Sequence, residues 1–316
     1  MAWGGIVNRQ AILAGVLLVQ LIAVALVWGL QARPGDAPPV FLSFDAGNAD
    51  TMTVADAEST VTVTRADREW TLSNGLPADG GKTDGVLQKL SDPGPGWPVA
   101  TSESAMRRFE VVEETHQRHV TIGAGEETLA DIYLGTSPTF GRVHARHVDG
   151  GPVYAIGFSN YEAGVKQSDW LQKSLLQPEG EVQSVSRKTS SAEWTLAWTD
   201  GAWTSEGVEL DQDETNTFVD RLRRLNVLDL VDAELPEEPS TAFVVVDGAG
   251  AHELALFALP DDDYAATSSR FEGVFGISSY IAEQLDMPLE DLGVDASEED
   301  DSDGGSEGSS PPAAES

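Results

Sequence analysis

The chain has no cysteine, and only five of its 316 residues are lysine. Without cysteine there is no disulfide scaffold, cysteine nucleophile, thiolate zinc site or cysteine-linked lipid anchor, although the compartment stays open. Basic residues number 19 against 53 acids, a net charge of -34. Such a field repels phosphate backbones, so nucleic acid is not an expected partner. Local catalytic signatures are missing too: there is no Gly-x-Ser-x-Gly elbow, phosphate loop, His-Glu-x-x-His or dinucleotide fingerprint. Gly123-Ala124-Gly125 lacks a third glycine and a helix start, so it reads as a turn. What the chain does have is a 41% hydrophobic fraction, enough for a real core, over a length that allows about two domains.

Residues 11–30, AILAGVLLVQLIAVALVWGL, form a run of twenty without a charge. At about 1.5 Å per helical residue such a run covers roughly the 30 Å hydrocarbon layer. The expectation is a transmembrane anchor over 11–32, in contact with membrane lipid through residues 11–30, with residues 1–10 cytoplasmic. Arg9 and the terminal amine precede the run and Arg33 follows it, which favours an inside N-terminus. A cleaved signal peptide is the alternative, and the run is longer than the 7–15 residues such a segment uses. No later stretch approaches eighteen apolar residues, which argues against a channel or carrier. The main body is therefore expected beyond an inner membrane, on its periplasmic side.

Residues 33–40 are rich in proline and read as a stiff spacer. Residues 290–316 carry ten acids and no base, so residues 293–316 are expected to be a disordered acidic tail. Between them, Val61 to Thr64 alternates with period two, Arg68 to Leu72 follows with Trp70, and Thr83 to Leu90 has helical spacing. The pattern recurs: Trp194 to Trp198 alternates, Trp203 follows a turn, and Glu214 to Leu225 has one apolar face. Further runs bounded by Gly-rich turns follow each helix. The predicted fold class is α+β: a transmembrane helix, then two related antiparallel-sheet-plus-helix units over 41–178 and 181–292. A single continuous sheet is the alternative.

Several of these residues carry a resemblance. Trp70-Thr71-Leu72 with Ala78-Asp79, Arg108-Phe109-Glu110-Val111, Ile132-Tyr133-Leu134-Gly135, Val153-Tyr154-Ala155-Ile156 and Asp169-Trp170 occur in an order and spacing similar to a bacterial family known as domain of unknown function 4340. Thr136 and Leu171 depart from the pattern, standing where basic residues are more usual. The resemblance implies a single-pass envelope protein, and for some members company with transporters of the gliding-motility ABC type. It implies no reaction and no cofactor.

Histidines 116 and 119, and 144 and 147, have metal-like spacing, but three residues apart on a strand point to opposite faces. Asp261-Asp262-Asp263 and the run from Asp300 to Gly304 lack the distal bidentate carboxylate of a calcium loop. No catalytic, cofactor or metal residue is assigned. The one candidate contact face is Arg142, His144 and Arg146, three positions sharing one side of a predicted strand within an acidic protein. The functional expectation is a membrane-anchored, extracytoplasmic, non-catalytic binding or assembly module, with a transporter permease or other envelope protein as partner. An envelope hydrolase with a site assembled from distant residues is the alternative.

Overall fold

Alternating aliphatic and polar residues give most of this chain its shape. The computed structural model describes residues 15–24, 39–94, 96–189 and 193–294. Strand Thr60–Ala66 (β2) reads TVTVTRA; its valines are buried and its threonines face outward, as period two requires. It pairs antiparallel with Thr51–Ala55 (β1) on one side and Glu69–Leu72 (β3) on the other. A small hairpin, Val111–Val112 (β4) and Thr115–His116 (β5), stands apart. Arg118–Ala124 (β6), Glu127–Leu134 (β7), Val143–His147 (β8) and Gly150–Ile156 (β9) complete a sheet of order β3-β2-β1-β6-β7-β8-β9.

A second sheet uses Ser184–Lys188 (β10), Glu193–Thr199 (β11), Ala202–Thr204 (β12), Val227–Leu230 (β13), Thr241–Asp247 (β14), Gly250–Ala258 (β15), Tyr264–Ser268 (β16) and Phe275–Ile277 (β17). Its order is β12-β11-β10-β14-β15-β16-β17-β13. With β13 set aside, the two orders match strand for strand.

The helices are a ten-residue segment over 15–24 (α1), Gly80–Ser91 (α2), Glu103–Arg108 (α3), Gln167–Trp170 (α4), Gln212–Leu222 (α5) and Ser279–Leu285 (α6). α2 and α5 follow the third strand of their sheets and bury Val86, Leu87 and Leu90, or Phe218, Val219 and Leu222. Their starts are alike. Asp79 and Asp211 cap them, and fully buried Thr83 and Thr215 donate back to the capping residue's carbonyl. Trp70 Nε1 donates to Asp84 and Trp203 Nε1 to Asn216, both at 3.0 Å. The hairpin before each tryptophan turns through two positive φ values, at Asp67 and Arg68 and at Asp200 and Gly201. One contiguous core runs through both sheets, including Leu87, Trp170, Trp194, Phe218 and Phe243.

Two expectations are corrected. The chain is mostly antiparallel sheet with few helices, rather than a balanced α+β fold, because short alternating runs joined by tight turns take up most of the sequence. The transmembrane helix is corrected as well: only residues 15–24 of α1 are described, and the residues on either side lie outside the described ones. Among the described residues no helix is long and apolar enough to cross a membrane. The rest of the expected anchor, most of the spacer, the cytoplasmic N-terminus and residues 295–316 lie outside the described residues.

Each sheet margin is closed by a different device. Along β3, Ala78 N–H donates to Trp70 O and Leu72 N–H to Leu76 O. Along β9, Val153 exchanges backbone bonds with Val99 and Ala100. Trp203 on β12 is met by a side chain: Gln212 Oε1 accepts from its N–H and Gln212 Nε2 donates to its carbonyl. On β13, Val227 N–H donates to Lys173 O, and Lys173 Nζ donates to Leu228 O.

Candidate functional site

The outer side of β7, β8 and β9 carries a second layer. Ser102 caps α3, and the β4-β5 hairpin follows, so that Val111, Tyr133 and Val153 are buried in a small cluster of their own. Glycine is required where this layer meets the sheet. A β-carbon on Gly135 would stand 1.9 Å from Phe109 O, so the backbone of Phe109 and Glu110 rests directly on the glycine. Thr136 N–H donates to Phe109 O at 2.9 Å, and Glu110 adopts a φ of 55° to bring the chain round.

This layer decides what becomes of the three residues of the predicted face. His144 is buried, stacked on the Phe109 ring at 4.0 Å, with Nδ1 3.0 Å from Thr136 Oγ1. Burial holds its imidazole below the ordinary value and the Arg108 charge adds to this, against a hydrogen bond with Thr136 that favours the proton. Arg142 is exposed and donates to Ala155 O. Arg146 is half-buried, with Nε 3.2 Å from Gly151 O and Nη1 3.4 Å from Val111 O. Both guanidiniums therefore bond neutral carbonyls and keep their charge, while the histidine between them is covered.

The other histidines also have neighbours. His116 stacks on Tyr133 at 4.8 Å, and His119 Nε2 lies 2.6 Å from Asp131 Oδ1, which also accepts from Thr121 Oγ1 at 3.2 Å. Hydroxyl and imidazole share one carboxylate oxygen, which is not the relay of a nucleophile passing its proton to a base. His147 bonds Phe41 O at 2.8 Å. Among the described residues no three His, Asp or Glu side chains are grouped to hold a metal ion.

Sequence reasoning missed a buried clamp in the second sheet. Asp247, which stands directly before the Gly248-Ala249-Gly250 turn, has a completely buried carboxylate. It accepts from Glu179 N–H at 2.7 Å, Ala249 N–H at 2.9 Å and Arg270 Nη2 at 2.6 Å. His252 Nδ1 lies 3.9 Å away and has no hydrogen-bond partner among the described residues. An acid placed immediately before Gly-x-Gly and five residues before a histidine was the available signal.

Three surface clefts are open among the described residues. One of 750 Å³ runs along β10 and β11 past Ser186, Lys188 and Thr195. Another, of 610 Å³, lies beside Trp70, Gln172 and Phe271. The third, of 290 Å³, is lined by Gln117, Ser137, Asn160 and Tyr161. None of their linings includes a histidine. At the third, Tyr161 is 94% exposed, and Phe140, three residues beyond Ser137, is 102% exposed.

No curated protein and no solved structure matches the chain. A family model described as a domain of unknown function matches residues 70–243, more than half of the 316, from β3 into β14. On that match, the chain belongs to the domain of unknown function 4340 family.

Proposed function

We propose that the protein is a non-catalytic binding or assembly module that works outside the cytoplasm as an accessory of a transporter of the gliding-motility ABC type. The observation that carries the binding reading is Tyr161, almost wholly in water at a polar cleft, together with Phe140, equally exposed three residues along the chain from Ser137 of the same cleft. Rigid exposed aromatics lose little side-chain freedom on docking and bury large areas, which is why they anchor protein interfaces. The transporter as partner rests on the family resemblance.

Affinity isolation of the full chain from a gentle detergent extract tests both parts. The expected result is recovery of a transporter permease, reduced at least fivefold by Phe140→Ser with Tyr161→Ser, at an unchanged melting temperature. Recovery of the protein alone overturns the partner, and permease recovery indifferent to the two substitutions overturns the site. A reporter enzyme fused at the C-terminus tests location: activity confined to the cell interior is the refuting result.

A further inference from the structure

The layer over β8 leaves positive charge uncancelled in a chain that has acids to spare. Arg108, Arg142 and Arg146 have no carboxylate within 4.0 Å among the described residues. Arg108 stands over Phe109, its Cζ 4.8 Å from the ring centroid, and Phe109 in turn stacks on His144. Arg142 immediately precedes β8, two residues before His144 and about 7 Å from it along extended chain. Arg107 is 69% exposed and makes only a long contact of 3.8 Å with Glu103. Glu113, Glu114 and Asp131 gather near Tyr133, beside Arg146, so the unscreened end of the face is that of Arg108 and Arg142. Phe140 stands at this end, in the tight turn closed by the bridge of Thr139 with Arg142.

We infer that residues 295–316, the acidic C-terminal segment, dock on the face formed by Arg108, Arg142 and Phe140. The segment carries eight acids and no base, and the rest of the chain is itself strongly acidic, with 45 acids against 19 bases. Most of the surface therefore repels it, and this face attracts it. Its tether supplies a high effective concentration without any partner. From Val294, fixed by its N–H bond to Glu209 O, to Pro311 is seventeen residues, about 56 to 61 Å fully extended. A body of about 255 residues has a radius of gyration of about 18 Å. The segment's sequence includes Pro311-Pro312, a residue type recognised by aromatic-lined grooves, and Phe140 offers an exposed ring. Docked there, the segment covers part of the aromatic rim and competes with a partner for it. The contact goes beyond the proposed function and stands or falls without it.

Photocrosslinking of the full chain decides. Benzoylphenylalanine incorporated at position 140 is irradiated at 0.15 M salt, and adducts are mapped by mass spectrometry. The expected product is an intramolecular adduct to residues 295–316, reduced at least fivefold by Arg108→Glu with Arg142→Glu. At 1 M salt, where the screening length falls to about 3 Å, the same reduction is expected. Adducts that avoid the segment, or that form between two chains, overturn the inference, as does a yield indifferent to both charge reversal and salt. A melting temperature unchanged by the two charge reversals confirms that the variant is folded. Permease recovery is not read in this experiment, so the two ideas fail separately.

Discussion

Asp247 is the residue whose removal should cost this fold most for its size. Its side chain is fully buried, and the segment joining the two sheets is tied to the second through it, by way of Glu179 N–H. Asp247→Ala leaves the Glu179 and Ala249 N–H groups without their acceptor and deprives Arg270 of its close partner. Breaking a buried charged pair costs about 3–5 kcal/mol. Arg270 is 16% exposed and keeps a 3.8 Å contact with Glu179, so the lower end applies, about 3 kcal/mol. Burial pushes the Asp247 carboxyl up, but the Arg270 bond and the two backbone donors outweigh it and hold it below 3.8. A carboxylate depressed in the folded state stabilises above its unfolded value and loses that contribution as pH falls through the folded one. The difference between wild type and Asp247→Ala should thus be constant from about pH 5 to 8 and shrink below about pH 4. Denaturant unfolding followed by tryptophan fluorescence measures it. A loss under 1 kcal/mol at pH 7, or a difference unchanged down to pH 3, refutes the reasoning.

Other perturbations follow from the same geometry. Gly135→Ala drives a β-carbon into Phe109 O and should destabilise by about 2 kcal/mol or more, with loss of the slow amide exchange expected at Thr136; exchange as slow as in wild type would count against the close approach. His144 and His252 are both held below 6.5, chiefly by burial, so the unfolded chain takes up their protons first and stability should fall as pH drops below about 6.5. In His252→Leu that decline should be shallower between pH 6.5 and 5, and an identical slope would show that His252 is not responsible. Because the net charge is -34, melting temperature should rise as salt is added from 0.1 to 2 M; a flat response would mean that self-repulsion is unimportant.

The parts of the fold readable in the sequence were those with a local cause. Val61 and Val63 alternate with threonine, and the Trp70 hairpin turns at an Asp-Arg pair, so strand and turn are visible within ten residues. β10 was hidden because one of its inward residues is Arg187, whose guanidinium is neutralised by Asp286 and bonds Met287 O at 2.5 Å, about a hundred residues away. α3 was hidden because six residues without a buried side chain leave no apolar stripe. Of the predicted face, Arg142 lies just before β8 and Arg146 where the β8–β9 register shifts, and the covering of His144 comes from Phe109, a contact between segments thirty-five residues apart.

The four closed sheet margins carry a consequence for how this molecule meets others. Main-chain rungs that might accept a donated strand are already taken up by neighbouring segments, by the Gln212 amide or by Lys173. Crowding of many copies therefore gives little opening for ribbon-like polymerisation, and recruitment by strand donation is blocked at the same places. Any specificity this molecule has must be written in side chains on its loops and outer layer, where single substitutions can retune it without unravelling a sheet.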